Sequence, residues 1–167
     1  MTEKDIYNQY KNLVFNLALQ YCQNRHDAEE ITQDVFVKVF DKWQTFRKEA
    51  DLKTWIYRIT INQSLDFLKH KQRKKRSFII SLFSSDSSNE ENLLPDFDHP
   101  GTLMEQDESL KTLMQKIYRL PKNQKTVIIL LKIEDLPQRE VAEIMKLTEG
   151  AVESLFQRAK ASLKKLL

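Results

Sequence analysis

Apolar side chains along this sequence recur every third or fourth position, the spacing of one face of an α-helix. Ile6, Tyr10, Leu13, Val14, Leu17 and Tyr21 form one such stripe. A second helix is predicted to open at Asp27, which with Glu30 three residues on makes a variant capping box. Its stripe is Ala28, Ile31, Val35 and Val39, while Phe36, Val37 and Phe40 lie partly off it, beside Gln33 and Asp34. These read either as a wide core face or as an exposed apolar and acidic surface for a protein partner. After a break over Phe46 to Asp51, a third helix carries Leu52, Trp55, Ile56, Ile59, Leu65 and Leu68.

The C-terminal part repeats the pattern in shorter pieces. Leu110, Leu113, Met114 and Ile117 predict a helix stopped near Leu120-Pro121, and Val127, Ile128, Leu130 and Leu131 mark another. Val141, Ile144 and Met145 share a face of a short helix that Pro137 can start. After a tight junction at Leu147-Thr148, Val152, Leu155, Phe156, Ala159 and Leu163 face inward from a last helix with Thr148 as its N-cap. Two short helices about such a turn predict a helix-turn-helix, whose second helix enters the major groove of DNA. The fold class is all-α.

Composition narrows the chemistry. The 167 residues include only two glycines, Gly101 and Gly150, too few for a glycine-cradled nucleotide site or a turn-rich β fold. Cys22 is the sole cysteine, and His26, His70 and His99 are far apart, so no disulfide, metal or cofactor site is expected. No pairing of nucleophile and base is visible, and an enzyme is not expected. The longest purely apolar run is Val127 to Leu131, far short of a membrane span, which makes a cytoplasmic protein the expectation.

The net charge of +3 hides a division into three parts. Residues 1–76 carry 15 basic and 10 acidic side chains, and residues 108–167 carry 12 and seven, so each part has a net charge of +5. Residues 77–107 have no Lys or Arg and seven acids, and are rich in serine, with Pro95 to Gly101 breaking helices. Two basic domains joined by an acidic linker is the organisation expected. Its apolar residues, Phe78, Ile79, Ile80, Leu82, Phe83, Leu93 and Leu94, are too many for a pure spacer and suggest a segment that docks on something.

Positive charge is interleaved with aromatics in the first domain: Trp43, Phe46, Arg47, Lys48, Lys53, Trp55, Tyr57 and Arg58. Aromatic faces stack on unpaired bases while cations hold phosphates, a mixture suited to single-stranded nucleic acid; core packing is the competing reading for Trp55. Six basic residues in the eight from Lys69 to Arg76, Lys69 and Arg73 among them, extend the cationic track. In the second domain, the outward face of the last helix presents Gly150, Ser154, Gln157, Arg158 and Ala161. Arg158 can pair with guanine and Gln157 with adenine, while Lys160, Lys164 and Lys165 continue a strip for phosphates.

The stretch Asp27-Ala28-Glu29-Glu30-Ile31-Thr32-Gln33-Asp34-Val35-Phe36, then Leu52 to Ile59, Asn62 and Asp66-Phe67-Leu68, resembles region two of the extracytoplasmic-function (ECF) sigma factors. Leu120-Pro121, Gln138 to Met145 and Gly150 to Lys160 resemble region four of the same family. The resemblance implies two helical domains on a flexible linker, core RNA polymerase and promoter DNA as partners, and an anti-sigma factor as a further partner. It implies contacts with the β′ clamp helices at Asp27, Glu30, Gln33, Asp34, Phe36 and Val37, and a contact of the second domain with the β flap. It implies minus-ten element binding at Arg47, Lys48, Lys53, Trp55, Tyr57, Arg58, Asn62, Lys69 and Arg73. Minus-thirty-five binding is implied at Gln138, Arg139, Gly150, Ala151, Ser154, Gln157, Arg158 and Lys160. The acidic linker resembles the segment that threads the polymerase RNA channel. A free-standing helix-turn-helix regulator, active as a dimer without polymerase, is the alternative. Pro137, Ala151, Glu153 and Ile61 depart from the family pattern, which leaves the base pairs read undetermined.

Overall fold

A computed structural model describes residues 1–46, 50–82 and 108–166 of the chain. Among the described residues are α1 (Glu3–Cys22), α2 (Arg25–Lys42), a 3₁₀ turn (Trp43–Thr45), α3 (Leu52–Leu82), α4 (Glu108–Tyr118), α5 (Lys122–Ile128), a π turn (Ile129–Ile133), α6 (Gln138–Met145) and α7 (Glu149–Leu166).

Local chemistry sets the helix ends. Thr2 Oγ1 accepts the Asp5 amide at 3.2 Å and the Asp5 carboxylate accepts the Thr2 amide at 2.8 Å, closing a capping box on α1. Gln23, with φ 55°, turns the chain out of α1. The next helix then starts earlier than expected. Asn24, not Asp27, is the N-cap of α2: its Oδ1 accepts the Asp27 amide at 3.0 Å. Asp27 is thereby placed inside the first turn, where it is buried and paired with Lys71.

The front domain is a three-helix bundle. Ile6, Val14, Leu17 and Tyr21 from α1, Ala28, Ile31, Val35 and Val39 from α2, and Ile56 from α3 are its buried contacts. Each large aliphatic side chain so buried is worth about 1.5–3 kcal/mol. Thr60 and Ser64 are also fully buried, and each hydroxyl donates to the carbonyl four residues back, Ile56 at 2.8 Å and Thr60 at 2.7 Å. Small, internally satisfied hydroxyls allow α3 into the bundle without an unpaired polar group.

α3 continues through Ser77 to Leu82, so the expected linker boundary at residue 77 falls inside a helix. No glycine or proline occurs in Ser77-Phe78-Ile79-Ile80-Ser81-Leu82 to stop it. Phe78, Ile80 and Leu82 are exposed there, and the rest of the predicted linker, with its acidic residues, lies outside the described residues.

In the rear domain α4 to α7 close over Met114, Ile117, Val127, Leu130, Val141, Ile144, Val152 and Ala159. The π turn bonds Glu134 N to Ile129 O at 2.9 Å, and Asp135, at φ 52°, reverses the chain toward α6. The helix-turn-helix is present. Lys146 occupies the left-handed conformation at φ 56° after α6, and Thr148 Oγ1 accepts the Ala151 amide at 3.1 Å, capping α7.

The two domains do not stand apart. Tyr21 of α1 is fully buried with its hydroxyl 2.7 Å from that of Thr126 in α5, and the buried apolar residues of both domains form one continuous cluster.

Candidate nucleic-acid and polymerase interfaces

The last helix presents the simplest surface. Val152 and Ala159 are buried, and Gly150, Glu153, Ser154, Gln157, Arg158, Lys160 and Ala161 are exposed, with Ala151 half-buried beside them. Gln157 Nε2 donates to Glu153 Oε1 at 2.8 Å along the exposed face. Gln138 does not project freely: its Nε2 donates to the Glu149 carbonyl at 2.8 Å, tying the start of α6 to the start of α7. Arg139 is exposed and lies 3.7 Å from Glu143. Lys160 lies over the Phe156 ring at 5.2 Å from its centre.

The outer face of α2 is less uniform than its sequence indicated. Glu30, Gln33 and Val37 are exposed, Val37 at 67%. Phe36 is buried, packed edge-on against Tyr7 with ring centres 4.9 Å apart, so the core reading holds for it and the surface reading for Val37. Asp34 is half-buried and accepts from Gln63 Nε2 at 3.3 Å. Asp27, where the resemblance implies a clamp-helix contact, is buried and ion-paired with Lys71, a residue from the cationic track, so it does not stand on the open face of α2. The same pair places a basic side chain where it neutralises a carboxylate rather than a phosphate.

On α3 the aromatic cluster is real but partly internal. The Trp43 and Phe46 rings stack at 5.9 Å, and Phe46 lies 4.7 Å from Trp55, which is half-buried. Lys53, Asn62, Lys69 and Arg73 are exposed; Arg47 and Lys48 lie outside the described residues. Tyr57 is buried at 3% exposure, so the expected open stacking surface is absent there: its hydroxyl donates to Glu134 Oε2 at 3.3 Å, across the domain boundary. Burial, and secondarily the Glu134 carboxylate, raises the Tyr57 pKa, while burial also raises that of Glu134. Arg58 is half-buried, with Nε donating to the Ile144 carbonyl at 3.1 Å and Nη2 to that of Glu143. Nothing in the periodicity of α3 marks these two bonds, because their acceptors are backbone atoms.

Cys22 is buried, its Sγ donating to the Asn24 carbonyl at 3.2 Å, and burial pushes the thiol up to about 12. A thiol so protonated packs as a small apolar group. Among the described residues no group of acidic, His or Cys side chains could hold a metal ion, and no helix is long and apolar enough to cross a membrane.

Comparison with known proteins joins these surfaces. Residues 6–74 match the Sigma-70 region 2 family and residues 110–163 match the Sigma-70 region 4 family, with the break falling where the charge changes sign. The chain is 30% identical over 155 residues to the ECF RNA polymerase sigma-E factor of Haemophilus influenzae, covering 93% of this chain and 82% of that one. The chain belongs to the ECF sigma factors. It is also 28% identical over 166 residues to the ECF sigma factor SigW of Bacillus subtilis, covering 98% and 87%. The fold of this sigma factor is similar to RpoE of Bartonella quintana, solved with the anti-sigma factor NepR (TM-score 0.61, 21% identity, 98% of this chain and 94% of that one). It is similar too to CnrH, solved with the cytosolic domain of CnrY (TM-score 0.62, 20% identity, 98% and 86%). The sigma-factor reading is therefore favoured over a free-standing regulator, and the chain functions in transcription initiation.

Proposed function

We propose that this sigma factor binds core RNA polymerase through the outer face of α2 and, once carried by the enzyme, divides promoter recognition between its domains. Glu30, Gln33 and Val37 supply an exposed, mixed acidic and apolar strip for the β′ clamp helices, with Asp34 at its edge. The rear domain meets the β flap. The α3 face, with Trp55, Lys53, Arg58 and Asn62, takes separated strands of the minus-ten element. The α7 face, with Ser154, Gln157 and Arg158, reads duplex at the minus-thirty-five element, while Lys160 holds phosphate. Unstacking a base costs a few kcal/mol, and stacking on an aromatic recovers about 1–3 kcal/mol per base. The front domain thus offsets the cost of opening a short stretch. Tethering to one large enzyme raises the effective concentration of both domains at the promoter, so neither needs high affinity alone. The protein acts by binding, not by catalysis, in the cytoplasm, and an anti-sigma factor is a further partner.

The observation that carries this reading is the polarity of α7: Val152 and Ala159 buried, Ser154, Gln157 and Arg158 exposed on a capped helix that follows a tight turn. The polymerase contact is tested with Gln33→Lys/Val37→Glu. Co-purification with core polymerase is expected to fall at least tenfold while helical content is unchanged. Full retention of the complex would move the polymerase surface away from α2.

A further inference from the structure

The outer face of α7 carries one acid that phosphate binding does not explain. Glu153 lies one turn into the helix and is exposed beside Ser154 and Gln157. Thr148 caps that end of the helix and Gln138 ties it to α6, so the first turns are held in place. Glu153 is the only acid of α7 after Glu149, whereas Arg158, Lys160, Lys164 and Lys165 make the rest of the helix cationic. A carboxylate within such a strip repels the phosphates that the strip attracts. Among the described residues no ion pair neutralises Glu153; its bond is to the neutral Gln157 amide, at 2.8 Å.

That bond has a geometric consequence. Residues four apart are neighbours along a helix surface, so Gln157 reaches Glu153 without leaving the face. An amide that donates to Oε1 restrains the carboxylate without cancelling its charge. A carboxylate has about four acceptor sites and no donor, and only one site is used here. In a helix-turn-helix the first turns of the second helix meet base edges rather than the phosphate backbone. A restrained carboxylate in that place needs a donor on a base edge, because any acceptor facing it repels it.

The major groove offers few such donors. Guanine presents N7 and O6 and thymine presents O4, all acceptors. Adenine has an amine at N6 but sets the N7 acceptor beside it. Cytosine has the N4 amine with no acceptor of its own in that groove. We propose that Glu153 is a specificity-determining residue of the duplex-reading face: held by Gln157, it accepts a hydrogen bond from the N4 amine of a cytosine in the minus-thirty-five element and turns guanine away at that position. The acid selects by repulsion as well as by attraction, which gains specificity at a cost in affinity. Arg158 and the lysines supply the general hold on DNA that the acid weakens. The inference rests on the proposed reading of duplex by α7.

The test is run-off transcription by the reconstituted holoenzyme on templates randomised through the minus-thirty-five element, with wild type, Glu153→Gln and Glu153→Lys. Residue 153 is exposed, so all three chains are expected to fold alike, which circular dichroism and co-purification with core polymerase check. Wild type should show one position where cytosine exceeds guanine in yield by about fivefold or more. Glu153→Gln should reduce that preference and admit adenine, because the amide adds a donor for N7. Glu153→Lys should invert it to guanine, whose O6 and N7 accept from the ammonium, with the other positions unchanged. Yields that rise equally on all sequences in both variants, with the preferred bases unchanged, would overturn the inference and leave Glu153 as an acid that only repels phosphate. A wild type that reads the element but favours cytosine over guanine nowhere would overturn it too. A wild type that joins polymerase yet reads no sequence in that element instead loses the proposed role of α7, and the inference with it.

Discussion

The two faces proposed for nucleic acid differ in how their side chains are engaged. On α7 the exposed Gln157 bonds Glu153 on the same helix, and the helix is fixed at its N-terminus by Thr148 and by the Gln138 bond to Glu149. On α3 the corresponding side chains are engaged elsewhere: Tyr57 with Glu134, Arg58 with the end of α6, Trp55 with Phe46. A duplex offers a regular groove, and a rigid helix meets it with little reorganisation. Separated strands exist only after opening, so a face that waits for them can be kept covered. The contrast is between a helix whose outer side chains are open and one whose side chains are held by the rest of the chain.

The largest expected effect probes a charge buried in the rear domain. Lys125 is buried at 7% exposure with its ammonium 4.4 Å from the centre of the Tyr118 ring, and desolvation lowers its pKa to about 8. Below pH 8 the lysine is charged in the folded and unfolded states alike, and the folded state bears the full cost. Between pH 8 and its ordinary value of 10.5 only the unfolded state holds the proton, so stability rises with pH there. Lys125→Met is expected to stabilise the protein by roughly 3 kcal/mol at pH 7, and by only about 1 kcal/mol at pH 9.5. Denaturant unfolding at the two pH values measures this. A gain that does not shrink with pH would show that packing, not charge burial, separates the variants.

A smaller effect separates the two readers. If Arg158 pairs bidentately with a base as proposed, Arg158→Ala should weaken transcription from a duplex promoter by about 1–3 kcal/mol, roughly 5- to 150-fold. Asn62→Ala should cost less, about tenfold or under. Its defect should shrink on a template already unpaired at the minus-ten element, whereas the Arg158→Ala defect should persist. Run-off yield on paired and pre-opened templates distinguishes them, and equal rescue of both variants would erase the division between the faces.

Much of this fold was legible because its helices bury narrow stripes. Ile6, Tyr10, Val14, Leu17 and Tyr21, then Ala28, Ile31, Val35 and Val39, then Val152 and Ala159 are buried at the positions their spacing predicts, while Leu13, Leu155 and Phe156 of the same stripes are half-buried. Thr148 caps α7 as expected, since a hydroxyl beside the first orphan amides has few competitors. Other features depend on contacts that no local pattern encodes. Asn24 and Asp27 are both good caps, and only the left-handed turn at Gln23 decides between them. Phe36 and Val37 are adjacent and both apolar; the Tyr7 ring covers one and leaves the other exposed. The contact between the two domains was the least legible. Tyr21 and Thr126 lie 105 residues apart, and Arg58 bonds to carbonyls, which every residue possesses. The family resemblance pointed to the α3 face without revealing that Tyr57 and Arg58 are bonded to the rear domain.

The direct trial of the whole account is run-off transcription on a library of genomic fragments, with core polymerase alone, the purified sigma factor alone, and the two together. The account predicts discrete transcripts only from the combination, starting downstream of paired sequence elements, with no stable complex between the sigma factor alone and duplex DNA. Discrete, dimer-type complexes on duplex by the protein alone, with no new transcript when polymerase is added, would contradict it.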